Sequence, residues 1–198
     1  GLDVMDLVGK KLMANLPNGD VGLTYTSLPQ IEKDMILNGQ LGRKSGGGFY
    51  RVRKFNDGSK KKETYDVLAK NWRNFEVASL EENQKSLEVI FSKELEGQFC
   101  WNLMGATINY AADLIPEISD DIINIDRAMR WGFAWSKGPF EILDALGPLN
   151  VVEKLEKNNQ KIPKMLQILA DNNLQTFYNS DGTKFLNVDG EYEALPLE

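Results

Sequence analysis

The sequence predicts a mostly α-helical fold made of two related helical units, each with a short β-hairpin. Three observations support this prediction. Apolar residues recur at helical spacing along much of the chain, turns rich in glycine, proline and asparagine separate the helical segments, and the order helix, helix, turn, hairpin occurs twice. The chain has 198 residues, 42% of them apolar and 26% charged, which is typical of a globular protein with a sizeable core.

The first unit is predicted to open with a helix over residues 1–14. Ser27 is expected to cap a second helix, which has Pro29 in its first turn and ends at Asn38-Gly39. The apolar residues of the first helix recur at helical spacing: Leu2, Met5, Val8, Leu12 and Met13.

A glycine-rich loop and a β-hairpin follow. Residues 49–67 predict two strands joined by a turn at Asn56-Asp57-Gly58-Ser59. The preceding Gly46-Gly47-Gly48 lacks the GxGxxG spacing and leads into a strand rather than a helix, so we predict no nucleotide site there. We expect these glycines to supply turns with positive φ.

The second unit is predicted to be complete. Residues 68–98 are polar and expected to be helical, including a linker, and residues 99–115 are expected to form a buried helix. A final hairpin is predicted to turn at Asp181-Gly182. Four further helices are predicted: one capped by Ser119-Asp120-Asp121 and ending at Trp131-Gly132, one from Pro139 to Leu146, and two at 149–158 and 162–172.

The two ends of the chain resemble each other in sequence. Gly1-Leu2-Asp3-Val4 parallels Gly147 to Val151, and Leu28-Pro29 parallels Ile162-Pro163. We therefore divide the chain into residues 1–78, the second part of one helical unit, and residues 79–198, a complete second copy. The first copy lacks counterparts of the helices that open the second, so loose packing is expected there.

Composition excludes several classes of site. The chain contains no His and a single Cys, Cys100, so we predict no disulfide, no zinc or copper site and no Ser-His-Asp or Cys-His nucleophile. A net charge of −6 argues against a nucleic-acid binder. No apolar run approaches the roughly 20 residues of a membrane span, and no signal peptide opens the chain. A cytoplasmic location is the expectation.

Three motifs carry a resemblance to a known family. They are Asp126 to Asp144, which includes Gly138-Pro139-Phe140-Glu141; Gly1-Leu2-Asp3-Val4; and Leu41-Gly42-Arg43-Lys44 with Gly48-Phe49-Tyr50. Together they resemble the C-terminal helical domain of 3-hydroxyacyl-CoA dehydrogenases. The resemblance implies a fold like the C-terminal domain of 6-phosphogluconate dehydrogenase. Two tandem copies are similar to long multidomain members, in which an NAD-binding Rossmann domain precedes the helical units.

The resemblance also implies a function and partners. It implies NAD-dependent oxidation of (S)-3-hydroxyacyl-CoA in fatty-acid β-oxidation, with an enoyl-CoA hydratase domain expected after Glu198. In the family a His–Glu pair on the Rossmann domain acts as base, helped by an Asn on the first C-terminal helix. Trp101 falls at the equivalent place in the second copy, so no catalytic residue is assigned. The chain is expected to be a fragment that is inactive alone and binds no NAD itself.

A basic cluster is the candidate substrate site. Arg43, Lys44, Arg51, Arg53 and Lys54 are predicted to bind the phosphates of acyl-CoA, because Arg and Lys pair well with phosphate. Two other interpretations remain open: a solvated hairpin and docking to an acidic neighbouring domain. The full cluster has eight basic residues within 20 positions, opposed only by Asp57: Arg43, Lys44, Arg51, Arg53, Lys54, Lys60, Lys61 and Lys62.

Other chemistry-bearing residues favour structural roles. Phe133, Trp135 and Phe140 would line an acyl pocket or pack a helix corner, and packing is favoured. The three carboxylates at helical spacing are predicted to be caps and surface pairs rather than an acid–base pair: Asp126, Glu141 and Asp144.

Two other functions stay open. The chain would be a structural or oligomerisation module, including a homodimer, or the helical domain of another Rossmann hydroxy-acid dehydrogenase that acts without CoA. The motif at Leu41–Tyr50 argues against the second.

Overall fold

Helices are the main secondary structure, at 48% of the chain, and short antiparallel strands form two small sheets. The mostly α-helical fold class with short hairpins is confirmed. The computed structural model describes residues 1–77, 79–82 and 85–196. The chain divides into two compact units, Gly1–Ala78 and Ser79–Glu198, which are described separately.

The first unit begins with helix α1, Leu2–Asn15, and helix α2, Gln30–Leu37, joined by a 3-10 turn. The predicted cap at Ser27 is wrong. Pro29 is the residue at the N-terminal end of α2 and makes no side-chain cap, whereas the Ser27 hydroxyl accepts a hydrogen bond from Lys33 Nζ at 3.2 Å. Proline has a fixed φ that suits the start of a helix, so the helix starts without a polar cap.

A three-stranded antiparallel sheet completes the first unit. Strands β1, Tyr50–Lys54, and β2, Lys60–Asp66, form the predicted hairpin. A third strand, β3, Asn71–Asn74, pairs with β2 within the range predicted to be polar helix. The Asp66 carboxylate accepts from the backbone N–H groups of the next turn, which reverses the chain.

The second unit opens with one long helical segment. Helix α3, Leu95–Cys100, continues through a π-helical turn, Trp101–Gly105, into helix α4, Ala106–Asp113. The prediction of a buried helix over 99–115 is only partly right, because Phe99 and Leu103 are 65% and 60% exposed. Before α3, described residues of the predicted polar helix form a 3-10 turn; Ala78, Asn83 and Gln84 lie outside the described residues.

Four helices follow, and they supply most of the core. Asp121 caps the first of them by accepting from the backbone N–H of Asn124 at 2.8 Å, and Ala134, at φ 56°, ends it three residues beyond Trp131. Their core side chains include Phe140, Leu143, Val151 and Leu166. The helices are α5, Ile122–Phe133; α6, Pro139–Leu146; α7, Pro148–Lys157; and α8, Lys164–Asp171.

A two-stranded hairpin closes the second unit. Strand β4, Lys184–Leu186, pairs with β5, Tyr192–Ala194. The predicted turn at Asp181-Gly182 is wrong for this hairpin. It closes an isolated bridge between Tyr178 and Phe185, whereas β4 and β5 are joined by a turn that contains Gly190 at φ 83°. The dipeptide Asp-Gly occurs twice in this segment, at Asp181-Gly182 and at Asp189-Gly190. Local sequence does not show which of the two turns joins the paired strands.

No helix in the part of the chain that the structure describes has the length and apolar character needed to cross a membrane.

Candidate functional site

The basic residues of the β1–β2 hairpin divide between its two faces. Arg53 lies directly opposite Lys61, and Lys54 directly opposite Lys60. Because side chains alternate along a strand, the first pair lies on one face and the second on the other. Like charges placed opposite each other across antiparallel strands are destabilising. Among the described residues, none of these four cations forms an ion pair.

Arg51 differs from its neighbours because its charge is balanced. Its Nε donates to the Glu63 carboxylate at 2.6 Å, directly across the strands. Its guanidinium also lies 4.2 Å from the centre of the Trp72 ring. Glu63 is buried, so this pair is held by packing as well as by charge. Arg51 therefore has little freedom to turn towards a ligand.

Lys44 is also paired. Its ammonium group donates to the Asp3 carboxylate at 2.5 Å, and this contact holds the pKa of Asp3 below its usual value. The pair joins the glycine-rich loop to the start of α1. Arg43, one residue earlier, forms no ion pair among the described residues.

A cleft of about 1040 Å³ lies in the first unit beside the hairpin. Its basic side chains are Arg43, Arg51, Lys54 and Lys62, and Phe75 lies on its wall. Apolar side chains from α1, from the glycine-rich loop and from β1 line the rest: Leu2, Met5, Leu41, Phe49, Tyr50 and Val52. The cleft can therefore receive an apolar group together with anionic groups.

The structure brings only part of the predicted site together. Arg43, Arg51 and Lys54 line the cleft, but Lys44 and Arg53 do not. Arg53 lies instead over the Phe55 ring, 5.1 Å from its centre. Lys62 belongs to the basic cluster but is not among the five residues predicted to bind phosphate. Strand alternation could have identified it, because it lies opposite Val52 and shares a sheet face with Lys54.

The glycine run is needed mainly for close approach rather than for positive φ. Of the three glycines only Gly46 has a left-handed conformation, at φ 86°. A Cβ at Gly48 would lie 2.9 Å from Gly42 Cα, and a Cβ at Gly47 would lie 3.0 Å from Arg51 Cβ. The expectation of positive φ is therefore right for one position and wrong for the other two.

Of the predicted carboxylates of the second unit, Asp126 and Asp144 bind backbone N–H groups, and Glu141 also forms a pair with Arg130. Asp126 is fully buried and accepts from the backbone N–H groups of Phe140 and Glu141, at 2.9 and 3.2 Å. The Tyr178 hydroxyl donates to the same carboxylate at 2.8 Å. Burial raises the pKa of Asp126 to about 7. Asp126 caps α6 as predicted, but its surface position is wrong.

Asp144 and Glu141 complete this arrangement. Asp144 accepts from the backbone N–H groups of Phe177 and Tyr178, at 2.6 and 2.9 Å, and burial raises its pKa to about 6. Glu141 accepts from Gly138 N at 2.6 Å and pairs with Arg130 at 3.0 Å. All three carboxylates hold backbone or charge in place, which is a structural role. Tyr178 gave no signal in the sequence.

The aromatic residues of the α5–α6 corner have separate positions. Phe140 is fully buried and its ring lies edge-on to Phe177, with centres 5.0 Å apart. Packing is therefore the right interpretation for Phe140. Phe133 is 72% exposed, whereas Trp135 is partly buried against the core cluster.

A second, smaller cleft of about 320 Å³ borders the π-helical turn. Trp101 is buried there under the side chain of Lys154, whose ammonium lies 4.7 Å from the ring centre. Asn102 is exposed on the same wall. Trp101 is part of the core cluster of the second unit.

The described residues do not fit a nicotinamide dinucleotide or a metal ion. Both sheets are antiparallel, and the glycine-rich loop leads into β1 rather than into a helix N-terminus. In the same part of the chain no three His, Cys, Asp or Glu side chains cluster as metal ligands. We therefore assign no cofactor-binding residue among those that the structure describes.

Comparisons with known proteins gave matches among curated sequences alone. The chain is 33% identical over 181 residues to a probable 3-hydroxyacyl-CoA dehydrogenase of Bacillus subtilis, covering 85% of this chain and 22% of that protein. Putative fatty acid oxidation complex trifunctional enzymes of Rickettsia felis and Rickettsia prowazekii are 34% and 30% identical, over 72% and 84% of this chain. The chain spans 20% and 23% of their lengths. No family model and no solved structure matches it.

Proposed function

Because the chain belongs to the 3-hydroxyacyl-CoA dehydrogenase family, we propose that it is the C-terminal part of an enzyme that oxidises (S)-3-hydroxyacyl-CoA to 3-ketoacyl-CoA with NAD. Residues 1–78 would be the second part of the first C-terminal helical unit, and residues 79–198 the complete second unit. The longer protein would act in fatty-acid β-oxidation, with a Rossmann domain and an enoyl-CoA hydratase domain as partners.

The chemistry of oxidation is proposed to lie outside these 198 residues. The reaction needs a general base that works near neutral pH, and this chain has no His. Its most perturbed carboxylate, Asp126, is fully buried and holds three hydrogen bonds. The chain alone is therefore expected to be inactive, and NAD is expected to bind to the Rossmann domain.

The contribution of this chain is proposed to be binding of the CoA phosphates by the basic hairpin. The observation that carries this proposal is the unpaired charge at the cleft: Arg43 and Lys54 line it without an ion pair among the described residues. Arg53 does not line the cleft and adds positive charge from the other face of the hairpin. Arg51 and Lys44, whose charges are already balanced, would position the strand and the loop. CoA phosphates would offset the repulsion between the facing cations.

Calorimetric titration of the 198-residue chain with acetoacetyl-CoA tests this proposal. The double variant Arg43→Ala/Lys54→Ala is expected to lose about tenfold in affinity, because the two unpaired cations that line the cleft are removed. Lys11→Ala/Lys33→Ala is the matched control, since it removes the same charge from the same unit outside the cluster. Acetoacetyl-pantetheine, which lacks the nucleotide phosphates, is expected to bind equally to all three proteins.

Two results would contradict the phosphate site. Equal losses in both double variants would mean that net charge alone is involved. Tight binding of free 3-hydroxy acids, with none of the CoA thioester, would favour a dehydrogenase that acts without CoA. A structural or oligomerisation module is the other candidate, and the exposed apolar side chains of α1 favour it; a tight dimer that ignores acetoacetyl-CoA would support it.

A further inference from the structure

The cleft beside the π-helical turn of the second unit contains two lysines whose charges are not balanced. Lys93 and Lys154 both line this cleft of about 320 Å³, and neither forms an ion pair among the described residues. A cleft lined by charges of one sign concentrates ions of the opposite sign. Elsewhere in the same unit carboxylates balance several cations: Lys85, Arg130, Lys157 and Lys161.

Two aromatic rings hold the Lys154 ammonium group in position. It lies 4.7 Å from the centre of the Trp101 ring and 5.9 Å from the centre of the Phe91 ring. Trp101 is 8% exposed and lies against Gly105, where a Cβ would come within 2.9 Å of the ring, so packing fixes the ring itself. An ammonium group over such a ring is attracted as a cation. The positive charge is therefore in place before a ligand binds, which lowers the entropy cost of binding.

The Lys154 ammonium group is partly desolvated without gaining an anion. Burial lowers the pKa of Lys154, because its charged form loses part of its hydration. Glu94 and Glu96 do not line this cleft; they line a neighbouring one that shares Ser92 with it. An anion bound in the cleft would restore the charge stabilisation that Lys154 has lost to burial.

Amide side chains add neutral hydrogen-bond donors to the same cleft. Asn102, in the π-helical turn, and Asn158, at the C-terminal end of α7, both line it. Each of these amides has two N–H donors and each ammonium group has three. Phosphate has more acceptor oxygens than a carboxylate and carries a second negative charge, so it matches two cations and two amides better.

We propose that Lys93 and Lys154 bind a dianionic phosphate group in this cleft, with Asn102 and Asn158 as further donors. The phosphate would be free phosphate or the phosphate monoester of a larger molecule, since both present the same oxygens. A cleft of about 320 Å³ suits the phosphate end of such a molecule rather than a whole nucleotide thioester.

This site is separate from the CoA phosphate site proposed for the first unit. Its residues lie within Ser79–Glu198, whereas Arg43 and Lys54 lie within Gly1–Ala78. The variant Arg43→Ala/Lys54→Ala is expected to leave phosphate binding at Lys93 and Lys154 unchanged. Either proposal can therefore fail while the other holds.

Nuclear magnetic resonance titration of the 198-residue chain with inorganic phosphate, at constant ionic strength, tests the proposal. The indole N–H of Trp101 and the side-chain amides of Asn102 and Asn158 are expected to shift and to saturate. The indole N–H of Trp131 is the internal reference, because Trp131 is 73% exposed and does not line the cleft.

Replacement of lysine by glutamine removes the charge and keeps most of the side chain. Lys93→Gln/Lys154→Gln is expected to raise the apparent dissociation constant for phosphate by about tenfold or more. Lys137→Gln/Lys184→Gln is the matched control, since it removes two exposed cations of the same unit that do not line the cleft. Lys93→Gln alone changes an exposed residue and is expected to weaken binding without disturbing the fold.

Two further probes identify the source of the phosphate. Adenosine 3′-phosphate that binds more tightly than inorganic phosphate would assign the site to a phosphate monoester of a nucleotide. Equal affinities would assign it to the phosphate group alone. Adenosine without phosphate is expected to cause no shift at Trp101, Asn102 or Asn158.

Three outcomes would overturn the proposal. The first is the absence of saturable shifts at the cleft with inorganic phosphate. The second is an equal loss of affinity in the two double glutamine variants, which would mean that net charge alone is involved. The third is acetate binding as tightly as phosphate, which would mean that the cleft does not select a dianion.

Discussion

Asp126 shows how one side chain can join distant segments of the second unit. Its carboxylate accepts three hydrogen bonds, from the first turn of α6 and from Tyr178, which lies 52 residues further along the chain. A buried ion normally costs free energy, and three donors offset part of that cost. The remaining cost appears as the raised pKa of about 7.

The stability of the second unit is therefore expected to depend on pH. The folded-state pKa values of about 7 for Asp126 and about 6 for Asp144 lie above the ordinary value of 3.8. The folded state thus binds more protons, and the stability from protonation is present below about pH 4 and is lost as pH rises through 6 and 7. Calorimetric melting between pH 5 and 8 should show the melting temperature falling.

Asp126→Asn provides the control for that pH dependence. The amide does not titrate, so the slope of melting temperature against pH should decrease, and the protein should also lose about 1–3 kcal/mol because one hydrogen-bond donor is left unsatisfied. Asp121→Asn, at an exposed cap, should keep the slope. A wild-type melting temperature that rises from pH 5 to 8 would contradict the raised pKa values.

The sequence predicted the capping role of these carboxylates but not their burial. Helical spacing near Arg127 and Arg130 predicts that Asp126 and Glu141 form caps and surface pairs. It does not show that α6 turns back onto α5, which places Asp126 under the first turn of α6. Tyr178 was missed because its partner lies on another element and nothing in its neighbourhood marks it.

At the scale of elements, the corner between α5 and α6 depends on a close approach at Gly138. A Cβ at this position would lie 2.3 Å from Asp126 Cα, Cβ and Cγ, so another residue cannot fit unless the helices separate. Gly132, in the last turn of α5, has no atom within 4 Å of its would-be Cβ. Gly138 is therefore required by the close contact with Asp126, whereas no steric contact requires a glycine at position 132.

Replacing each glycine by alanine should separate these two roles. Gly138→Ala is expected to destabilise the second unit by about 3 kcal/mol or more, because the methyl group overpacks a closed contact. Gly132→Ala is expected to stabilise it by about 0.5–1 kcal/mol, because alanine favours the helix. Urea unfolding measures both. If Gly138→Ala left the free energy of unfolding unchanged, the corner between α5 and α6 would open at little cost in free energy.

The sequence identified the helices more reliably than it identified the third strand. Helical periodicity over α5 to α8 is strong because each helix buries one side against the core. Strand β3 has four residues, Asn71–Asn74, and only Trp72 is apolar. Its position depends on Trp72 packing against Tyr65 and Arg51 across the sheet, which local sequence does not encode.

At the scale of the whole molecule, the charge is divided unequally between the two units. Residues 1–78 contain 13 basic and 9 acidic residues, and residues 79–198 contain 10 and 20. The net charges are therefore +4 and −10, which together give the net charge of −6. The overall value conceals a basic surface, so it is a poor guide to which ligands the first unit attracts.

This division predicts retention on a polyanion. Despite its net charge of −6, the chain should bind immobilised heparin at low salt and elute as salt screens the basic hairpin. Arg53→Ala/Lys54→Ala should elute at a clearly lower salt concentration than Lys11→Ala/Lys33→Ala, although both remove two positive charges. Identical elution of the two variants would show that retention does not come from the hairpin.

The facing cations at the end of the β1–β2 hairpin also link ligand binding to local order. Arg53 lies opposite Lys61 and Lys54 opposite Lys60, so the last two residue pairs of β1 and β2 are destabilised by repulsion between like charges. A polyphosphate bound there would remove that repulsion and thereby favour the paired strands. Ligand binding would therefore make the paired ends of β1 and β2 more rigid, and these ends would fray when the ligand dissociates.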